Sequence, residues 1–473
     1  MEKLFINGEW VTTQSSEYLY SPYTEEKIAE IPIAKEAEVN LAIDGAFKAK
    51  NSWARTPAHE KASILEKLSK LYEKNLEKAA EIIAMESAKP IRLAEMEVSR
   101  TIQTFKFAAE EAKRIHGETI PLDAAPGGER RVSYTIREPL GVIGAITPFN
   151  FPLNLVAHKI GPALASGNSI VLKPARQTPL SSFYLAELLE EAGLPKGVFN
   201  VVTGHGSVVG DLLVMDSRIN MITFTGSPEV GVGIRNKAGL KKVTLELGSN
   251  AAVIIDKDTE VNKKLIDRCI TGAFSNNGQV CISIQRMYVH ENIYDKFAEQ
   301  FIEAANKLKI GDPLDSDTDI SALISKRELE DRLSWIREAK ESGAEIATGG
   351  KEEGTVLCPT VILEAENRLK VSCQEAFAPI VILNKVKSAA EAIHFVNDSR
   401  FGLQAGIYTK DIETALEAVD KLHVGGVLIN DIPTFRVDHM PYGGVKESGI
   451  GREGIKYAIE EMTEMKLIIW NRN

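Results

Sequence analysis

The feature that most constrains the fold of this 473-residue chain is an alternation of short apolar runs with helical patterns after residue 138. The apolar runs are strand-like, and the segments between them, such as 181–192, have the spacing of helices. Strands separated by helices predict parallel βαβ units. The strands predicted in this stretch are 141–147, 170–172, 199–202, 221–224 and 243–245.

A second α/β run follows, so the chain is long enough for two or three domains. This run begins with an apolar strand at 251–255 and ends with a strand at 425–429. No linker of biased composition separates the two runs. We therefore place the boundary near Gly248, where the role of the segments changes. The other elements predicted here are helices at 266–274 and 294–308 and a strand at 286–289.

The segment before residue 138 predicts a hairpin followed by helices. The first ten residues hold two strand patterns around Asn7-Gly8, a dipeptide typical of tight hairpin turns. Apolar residues between 64 and 72 recur on one helical face. Lys89-Pro90 interrupts this helical region, and another helix is expected from there to about residue 116.

Two segments fit neither run and predict a small separate sheet. Val132, Tyr134 and Ile136 alternate with polar residues, the pattern of a half-buried strand. Residues 467–470 form a second short apolar strand. An apolar edge strand left open invites association. We hypothesise that the two form a protruding sheet that builds a homodimer or homotetramer; the alternative is a strand folded into its own domain.

Charge and cysteine usage exclude several classes of protein. The chain has 56 Lys and Arg against 66 Asp and Glu, a formal net charge of −10, which argues against partners such as nucleic acid or an anionic membrane. No apolar run approaches the roughly 20 residues that span a bilayer. The four cysteines form no CxxC pair, and the eight histidines show no metal-ligand spacing. We expect a reduced, cytoplasmic protein without a metal site.

Three segments carry side chains suited to covalent acyl chemistry. Cys281 follows a small, amide-rich turn at 277–280. Its thiolate could attack a carbonyl, and Glu246, just after a strand, could activate the water that frees the product. Asn150 offers an amide that could stabilise an oxyanion. Taken alone, Cys281 would more often be a buried structural cysteine, which is what we expect of Cys269, Cys358 and Cys373.

Glycine-rich stretches give two weak candidates for a nucleotide site and one better candidate. Residues 449–454 satisfy GxGxxG but follow a loop instead of a buried strand, so we discount them. Residues 204–206 follow a strand but lack an acid about 20 residues on. Residues 225–227 end a strand and open a helix with Ser227 as N-cap, where free N–H groups bind phosphate. Bare capping is the alternative there, as a solvated strand end is for Lys173.

Eight short motifs follow one another along essentially the whole chain. They are Glu138-Pro-Leu-Gly-Val-Ile-Gly, Pro148-Phe-Asn-Phe-Pro, Lys173-Pro-Ala, Phe224-Thr-Gly-Ser, Glu246-Leu-Gly, Gly278-Gln-Val-Cys, Glu375-Ala-Phe-Ala-Pro and Pro441-Tyr-Gly-Gly-Val-Lys-Glu-Ser-Gly. Each motif alone is modest, but eight in this order are specific, and together they resemble the aldehyde dehydrogenase superfamily. The resemblance is greatest to the branch that acts on lactaldehyde and related small hydroxyaldehydes, through residues 145–154 and 430–431.

The resemblance implies an α/β fold with a Rossmann-like cofactor domain, an α/β catalytic domain and a small bridging oligomerisation sheet. Residues 1–118 and 140–247 would form the dinucleotide-binding domain, and residues 248–446 the catalytic domain. Residues 119–139 and 457–473 would form the oligomerisation segment. The implied activity is oxidation of a small aldehyde to its carboxylic acid with NAD(P)+ and water.

The resemblance also assigns roles to side chains. Cys281 would form a thiohemiacetal and then a thioester, Asn150 and the Cys281 N–H would hold the oxyanion, and Glu246 would activate water. Lys173 would bind the adenosine ribose and Ser227 the pyrophosphate. Glu375 would bind the nicotinamide ribose, with Phe377 packed beside it. Contacts to NAD or NADP would come from Lys173, Arg176, Ser227, Gly226, Gly231, Glu375, Phe377, Thr147, Pro148, Phe149 and Leu247.

Two positions bear on specificity. Many relatives carry a Glu where this chain has Arg176, and a guanidinium can pair with a 2′-phosphate, so we hypothesise that NADP is accepted. Arg436 and His439 precede the Pro441 motif, in a stretch that lines the substrate entrance in relatives. A positive group there would favour lactaldehyde, a semialdehyde, or a phosphorylated or sulfonated aldehyde. The alternatives are a solvent-exposed Arg176 and a surface-loop Arg436.

Three rival functions remain at this point. A CoA-acylating dehydrogenase would use the same cysteine, but such relatives generally lack the glutamate that is present here as Glu246. An enzyme linked to acyl phosphate would not need Glu246 either. A non-catalytic binding protein on the same fold would be indicated by loss of Cys281, Asn150 or Glu246, and all three are present.

Overall fold

The computed structural model describes residues 1–472, which form an α/β fold of the predicted class. Asn473, the last residue of the predicted oligomerisation segment, lies outside the described residues. In chain order the strands are β1 (Leu4–Ile6), β2 (Glu9–Val11), β3 (Ser16–Tyr20), β4 (Lys27–Pro32), β5 (Thr119–Ile120), β6 (Arg131–Pro139), β7 (Val142–Ile146), β8 (Ser169–Lys173), β9 (Phe199–Val201), β10 (Met221–Thr225), β11 (Lys242–Glu246), β12 (Ala252–Ile255), β13 (Arg286–His290), β14 (Glu345–Thr348), β15 (Glu352–Glu353), β16 (Val356–Leu357), β17 (Thr360–Leu363), β18 (Ile380–Val386), β19 (Phe401–Gly402), β20 (Gln404–Tyr408), β21 (Gly426–Ile429), β22 (Val445–Lys446), β23 (Gly449–Ile450) and β24 (Thr463–Asn471). The helices are α1 (Glu36–Arg55), α2 (Ala58–Lys74), α3 (Leu76–Ser87), α4 (Ile91–Ala112), α5 (Asn154–Ala165), α6 (Leu180–Ala192), α7 (Asp211–Met215), α8 (Pro228–Lys237), α9 (Lys263–Phe274), α10 (Glu291–Ala305), α11 (Lys326–Glu341), α12 (Lys370–Cys373), α13 (Ala389–Asn397), α14 (Ile412–Lys421) and α15 (Ile455–Glu461).

The first sheet has eight strands in the order β2-β1-β9-β8-β7-β10-β11-β23, and its five central strands are parallel. The strands predicted for the first run are all present, with ends within one residue of the prediction. β7 and β8 are buried along their whole length, as expected for parallel strands covered on both faces. The carboxyl ends of these strands meet at one edge, where open α/β sheets bind ligands.

The second sheet has seven strands in the order β14-β17-β18-β13-β12-β20-β21 and is parallel from β17 to β21. Its helices α9 and α10 begin three residues before the predicted starts. The side chains of Asn262 and His290 cap these helices by accepting hydrogen bonds from the first turns. The apolar periodicity of a helix starts only where the helix meets the core. A prediction from this periodicity therefore places the start of the helix after its capped first turn.

The two segments assigned to a separate sheet pair with each other. β24 and β6 are antiparallel from Thr463↔Pro139 to Asn471↔Arg131, and β5 completes a three-stranded sheet. This sheet is distinct from the two large ones. Its assignment to an oligomerisation segment outside the two domains stays a prediction. The apolar side chains of β24 that remain about half exposed are Met465, Leu467, Ile469 and Trp470.

The glycine-rich segment 449–454 returns to the first sheet as an edge. β23 pairs antiparallel with β11 through Leu245↔Ile450 and Glu246↔Gly449. Gly449 has φ +152, and a Cβ there would stand 2.3 Å from the carbonyl oxygen of Leu245. Close strand approach therefore accounts for this glycine.

The first 115 residues form the predicted hairpin and helices. Asn7 and Gly8 connect β1 and β2 with φ of 54° and 73°, the conformation of a tight hairpin turn. α3 ends at Ser87 and α4 begins at Ile91, so the break predicted at Lys89-Pro90 is present. No helix in residues 1–472 is long and apolar enough to cross a membrane.

Candidate active site

The segment before Cys281 is a tight turn that suits only a few residue types. Asn276, Asn277 and Gly278 have φ of 54°, 58° and 68°, the left-handed region that asparagine and glycine tolerate best. A Cβ on Gly278 would stand 2.1 Å from the carbonyl oxygen of Ala378. The small, amide-rich sequence is therefore what the turn that presents the cysteine requires.

Buried amide side chains fasten this turn to its surroundings. Asn277 Nδ2 donates to the carbonyls of Ala88 and Ala322 at 3.2 and 3.0 Å. Gln279 Oε1 accepts from the N–H of Ile324 at 3.0 Å. Because these groups are buried, their hydrogen bonds do not compete with water. The cysteine thus stands on a rigid support.

Asn150 connects the cysteine turn with the segment that follows β7. Its Nδ2 donates to the Gln279 carbonyl at 2.8 Å, and its own carbonyl accepts from Asn276 Nδ2 at 3.1 Å. An amide nitrogen carries two hydrogens, so the bond to Gln279 leaves one N–H available. The Asn150 amide is therefore fixed beside the turn with donor capacity to spare.

Glu246 is a buried carboxyl at the end of β11. Neither of its carboxyl oxygens has a hydrogen-bond partner among residues 1–472. Burial raises the pKa of Glu246 well above its ordinary value, and the charge of Glu453 raises it further. Arg436 and Lys159 oppose this rise. The group becomes a competent proton acceptor as the pH rises.

Two cavities meet at Cys281. One, of about 270 Å³, lies between α4, α9 and residues 432–442, and we call it the arginine cavity. The other, of about 330 Å³, lies at the carboxyl ends of β10 and β11, and we call it the sheet-end cavity. Cys281 and Leu155 line both. The sulfur is therefore accessible from two sides.

The Cys281 thiol is buried among groups of both charges. Burial raises its pKa to about 12, whereas the hydrogen bond with Tyr442 and the charge of Arg436 act to lower it. Glu375 and Glu246 add to the rise. The Sγ and the Tyr442 hydroxyl oxygen lie 2.9 Å apart. The sulfur becomes a nucleophile once its proton is lost.

The arginine cavity is lined by cations whose carboxylate partners mostly lie behind them. Of the four partners, only Glu97 reaches the cavity wall. The side that faces the space is therefore positive. The pairs are Arg100–Asp438 at 2.7 Å, Arg268–Asp431 at 2.7 Å, Arg436–Glu453 at 3.0 Å, and Lys89–Glu97.

Arg436 is buried, so the alternative of an arginine on a surface loop is wrong. Only 7% of its side chain is exposed, and its guanidinium lies 3.7 Å from the centre of the Tyr442 ring. Glu453 accepts from Arg436 at 3.0 Å and from Lys159 at 2.9 Å. Burial alone would raise the pKa of Glu453, but the charges of Lys159 and Arg436 hold it well below its ordinary value.

Neither of the two histidines near Arg436 lines the arginine cavity. His158 Nε2 lies 2.9 Å from Asp438 Oδ1 and 3.3 Å from Arg436 Nη2. Burial and the charge of Arg436 lower the pKa of His158, so its imidazole is neutral at pH 7. His439, which the sequence placed at the substrate entrance, packs on the ring of Phe107 instead and does not line the arginine cavity.

The sheet-end cavity gathers most of the residues predicted for cofactor binding. Ser227 caps α8, its Oγ accepting from the N–H of Val230 at 3.4 Å. Glu375 accepts from the Ser249 N–H at 2.9 Å, and burial raises the pKa of Glu375 to about 7. The predicted site residues that line this cavity are Pro148, Phe149, Asn150, Gly226, Ser227, Glu246, Leu247, Cys281, Glu375 and Phe377.

The unused polar groups of the sheet-end cavity fit a dinucleotide. The N-terminus of α8 offers N–H groups for phosphate, and Glu375 offers a carboxylate for ribose hydroxyls. Thr225 Oγ1 is buried without a hydrogen-bond partner in the described chain. The rings of Phe149 and Phe377, 5.7 Å apart and perpendicular, form an apolar wall. This donor set matches NAD or NADP.

Gly226 and Gly231 are needed for packing around the sheet-end cavity. A Cβ on Gly226 would meet the Phe224 ring at 2.5 Å, and one on Gly231 would meet the Leu247 side chain at 2.5 Å. Gly231 thus lets α8 lie close to Leu247. A direct contact between Gly231 and a cofactor stays a prediction.

Lys173, Arg176 and Thr147 do not line the sheet-end cavity. Lys173 Nζ donates to the Pro174 carbonyl at 3.1 Å, and burial followed by the charge of Arg176 lowers the pKa of Lys173 to about 8. Arg176 is half exposed and pairs with Glu17 at 2.5 Å. Thr147 is buried, and its N–H donates to the Lys173 carbonyl. Their contacts to a cofactor stay a prediction.

The sequence did not point to Tyr442 or to the pair Lys159–Glu453. Tyr442 lay inside the Pro441 motif, where nothing linked it to a cysteine 161 residues away. Lys159 stands in α5, a helix buried along its whole length. A lysine inside an apolar helix must find a counter-charge, and this was the signal available in the sequence.

The remaining cysteines take no part in the site. Cys269 is fully buried, and burial raises its pKa to about 12. Cys358 is also buried, and Cys373 is partly exposed; all four cysteines are unpaired. Within residues 1–472, no group of three or more His, Cys, Asp or Glu side chains could hold a metal ion.

Comparison with known proteins gives a consistent match. Residues 10–468 match the model of the aldehyde dehydrogenase family. A 3-sulfolactaldehyde dehydrogenase from Priestia aryabhattai is 48% identical over 471 residues, which cover 99% of this chain and 98% of that protein. A lactaldehyde dehydrogenase from Methanococcus aeolicus is 44% identical over 473 residues, which cover 99% of this chain and 100% of that protein.

Solved structures agree with these relatives. Aldehyde dehydrogenase 21 from Physcomitrella patens, in complex with the reaction product succinate, gives a TM-score of 0.97 at 40% identity and covers 100% of this chain and 98% of its own. A glyceraldehyde-3-phosphate dehydrogenase from Methanocaldococcus jannaschii, complexed with NADP, gives a TM-score of 0.93 at 41% identity. It covers 97% of this chain and 100% of its own.

Proposed function

The chain belongs to the aldehyde dehydrogenase family, and we propose that it oxidises a small aldehyde with an anionic tail to the carboxylic acid. It is an NAD(P)-dependent enzyme that acts on small aldehydes. One observation carries the proposal: Cys281 lies at the junction of the two cavities. An aldehyde can reach the sulfur from the arginine cavity, and a cofactor from the sheet-end cavity.

Cys281 and Asn150 carry out the first half of the reaction. The Cys281 thiolate attacks the aldehyde carbon and forms a thiohemiacetal. Asn150 Nδ2 and the backbone N–H of Cys281 donate to the oxygen that takes up the negative charge. When bound in the sheet-end cavity, NAD(P)+ would supply the acceptor for the hydride that leaves this carbon. The acyl group then remains on Cys281 as a thioester.

Glu246 supports release of the acid by water. It lines the same cavity as Cys281, and its unpartnered carboxylate can take a proton from the water that attacks the thioester. Breaking the C–S bond frees the acid and restores Cys281. Turnover is therefore expected in the absence of CoA and phosphate. Turnover only after either is added would favour an acyl-transferring enzyme.

The sheet-end cavity would hold the cofactor. The N-terminus of α8 at Ser227 would bind the pyrophosphate, and Glu375 would bind the nicotinamide ribose, with Phe377 beside it. Lys173 would bind the adenosine ribose at the end of β8. Arg176 would accept the 2′-phosphate of NADP in exchange for its ion pair with Glu17.

The positive wall of the arginine cavity supports an anionic substrate. A sulfonate or carboxylate entering from this side would meet guanidinium groups, which bind such anions with two parallel hydrogen bonds. Arg100 is 30% exposed and Arg268 is 38% exposed, so both can contact a ligand without leaving their partners. The relative named for 3-sulfolactaldehyde and the structure that holds succinate both involve anions of this class.

A matched pair of substrates tests this specificity. 3-Sulfolactaldehyde and lactaldehyde differ only in the sulfonate, so their ratio of kcat/KM isolates the anionic tail. We expect the sulfonated aldehyde to be favoured about tenfold or more, and Arg100→Gln to reduce that ratio about ten- to hundredfold, because a charge-assisted hydrogen bond is lost. Initial rates of nicotinamide reduction, measured with NAD and with NADP, give kcat/KM for each of the two aldehydes.

The control for this test is Arg92→Gln. Arg92 lies on the same helix, pairs with Asp319 at 2.7 Å and does not line the arginine cavity, so the ratio should stay unchanged. Equal kcat/KM for the two substrates in the wild-type enzyme would reject the proposed preference for an anionic tail. It would leave the aldehyde dehydrogenase activity in place.

We further propose that the β5-β6-β24 sheet joins copies of the chain into a homodimer or homotetramer. The exposed apolar side chains of β24 support this, because an open apolar edge strand favours association. Ile469→Asp should yield a smaller species in sedimentation analysis. Leu240→Asp, at a fully exposed position elsewhere, should not change the size of the species.

The unpaired cysteines support a location in the cytoplasm, where thiols stay reduced.

A further inference from the structure

A tyrosine lies directly on the sulfur at the junction of the two cavities. The hydroxyl oxygen of Tyr442 is 2.9 Å from Cys281 Sγ, and it is the hydrogen-bond partner that residues 1–472 provide for that sulfur. The Tyr442 side chain is buried, with 3% of the residue exposed. A buried phenol at this distance has few other partners, so its hydrogen bond is directed at the sulfur.

An arginine holds the Tyr442 ring from its other side. The Arg436 guanidinium lies 3.7 Å from the ring centre, within the range of a cation–π contact. The positive charge of Arg436 also acts to lower the pKa of the Tyr442 hydroxyl, which makes the hydroxyl a stronger donor. The stack therefore both positions the phenol and favours donation to the sulfur.

Arg436 itself is fixed by a buried counter-charge. Glu453 accepts from Arg436 at 3.0 Å and from Lys159 at 2.9 Å. Both cations and the carboxylate are almost fully buried, so breaking either pair would leave an uncompensated charge in the interior. A series of contacts thus runs from Lys159 through Glu453 and Arg436 to Tyr442, and it fixes the position of the Tyr442 hydroxyl beside the sulfur.

We propose that Tyr442 is a catalytic residue whose hydroxyl donates a hydrogen bond to the Cys281 thiolate, and that Arg436 is the positioning residue that holds it there. The inference rests on the proposed role of Cys281 as nucleophile. The thiol proton leaves to solvent water. Tyr442 keeps its own O–H bond throughout and supplies a hydrogen bond, not a proton.

The groups that surround the sulfur explain why such a donor is needed. Burial raises the pKa of the Cys281 thiol to about 12, and the nearby Glu375 and Glu246 add to that rise. The opposing influences are Tyr442 and Arg436. Burial and the neighbouring Cys281 keep the pKa of Tyr442 itself well above its ordinary value, which favours the neutral phenol that can donate this hydrogen bond.

Alkylation of Cys281 in the enzyme without aldehyde or cofactor tests this role. The rate of iodoacetamide addition follows the thiolate fraction, and mass spectrometry of the Cys281 peptide separates this cysteine from the other three. In Tyr442→Phe we expect the rate below pH 9 to fall roughly ten- to hundredfold, the effect of one hydrogen bond to a charged group. The rate should recover at a pH about one to two units higher.

Two further variants separate donation from packing. Tyr72→Phe removes the hydroxyl of another buried tyrosine, one without a hydrogen-bond partner in the described chain, and should leave the alkylation profile unchanged. Arg436→Lys keeps the charge but loses the planar stack, so the profile should shift in the same direction by about threefold to tenfold. An unchanged profile in Arg436→Lys would reject its positioning role.

A Tyr442→Phe profile that superimposes on that of the wild type would overturn the proposal. The pH profile of turnover should parallel that of alkylation. In Tyr442→Phe, kcat/KM should be reduced at pH 7 and restored toward higher pH. Failure of the proposed function would be visible separately, because Cys281→Ala would then retain turnover. The two failures are therefore distinguishable.

Discussion

The two cavities that meet at Cys281 differ in how their polar groups are satisfied. In the arginine cavity every cation has a carboxylate partner, and most of these partners lie behind the wall. In the sheet-end cavity, Glu246 and Thr225 have side-chain oxygens without partners in residues 1–472. In the first wall the charges are paired before a ligand arrives, although Arg436 Nε is buried without a hydrogen-bond partner in residues 1–472. In the second wall, the unpartnered oxygens would be satisfied by ligand or water.

This difference assigns separate tasks to the two sides. Paired charges keep a fixed geometry, because each group is held by its counter-charge. An unpartnered buried carboxyl is unfavourable for stability, but it remains free to accept a proton. Variants that break a fully buried pair, such as Lys159–Glu453, should therefore mainly change stability, and variants of the unpartnered groups should mainly change rate.

The junction itself should show the largest effect. Cys281→Ala removes the nucleophile common to both sides, so we expect kcat to fall about 10⁴-fold or more. Steady-state nicotinamide reduction measures the loss. Cys373→Ala, a partly exposed cysteine without a proposed role, should retain full activity. If Cys281→Ala retained turnover within tenfold of the wild type, Cys281 would not be the nucleophile that the two cavities share.

On the unpaired side, Glu246→Gln should lower kcat about 10²–10⁴-fold, because the general base is lost. Stability should not fall, since no hydrogen bond is broken and the repulsion from Glu453 disappears. The first equivalent of reduced nicotinamide should still form, and the acyl group should remain on Cys281. Intact-protein mass spectrometry would detect this adduct; its absence during a stalled reaction would count against hydrolysis by Glu246.

On the paired side, Lys159→Met should lower the free energy of unfolding by about 3–5 kcal/mol, because Glu453 would lose one of its two buried partners. Chemical denaturation at a fixed protein concentration measures this change. Lys106→Met breaks the exposed pair with Glu73 at 2.6 Å and should cost at most about 1 kcal/mol. Equal effects of the two substitutions would contradict a stabilising role of the buried pair that holds Arg436 in the arginine cavity.

The pH dependence of the wild-type enzyme should report the unpaired carboxyl. Because burial raises the pKa of Glu246, the group is protonated and inactive as a base at low pH. kcat for the hydrolytic step should therefore rise about tenfold per pH unit below that pKa and then level off. In Glu246→Gln the same limb should be flat. A wild-type kcat that falls with rising pH would contradict the proposed role of Glu246 as a base.

The smallest expected effect concerns cofactor choice. Arg176→Glu should lower the ratio of kcat/KM for NADP over NAD about tenfold, because a carboxylate repels the 2′-phosphate that a guanidinium pairs with. Arg176 and Arg327 line a common surface cavity near β3, and Arg327 is the more exposed of the two. Arg327→Glu therefore provides the control for a general change of charge. An unchanged ratio in Arg176→Glu would show that the pair with Glu17 keeps Arg176 from the cofactor.

The alternation of strands and helices was sufficient to predict the five parallel strands of the first sheet, but only β12, β13 and β21 of the seven strands in the second sheet. Apolar runs mark buried parallel strands reliably, since both faces of each strand must be covered. The cap residues Asn262 and His290 shifted helix starts because capping depends on local hydrogen bonds and not on apolar spacing. The domain boundaries near residues 118, 139, 247 and 446 stay a prediction.

The site was only partly predictable for a different reason. Cys281, Glu246 and Asn150 stood in short motifs whose chemistry can be read locally. Arg436 looked like a loop residue because its partner Glu453 and its contact Tyr442 are set by the tertiary fold. Likewise, no local pattern indicates that Arg176 pairs with Glu17, 159 residues before it.

The return of the chain after residue 449 to the first sheet also sets an order of events during synthesis. Lys159 and its partner Glu453 are 294 residues apart, which at about 5–20 residues per second means roughly 15–60 s on the ribosome. During that interval β11 lacks its neighbour β23, and α5 carries an ammonium without its counter-charge. The edge strand β11 and the ammonium of Lys159 therefore gain these partners only when the last part of the chain emerges.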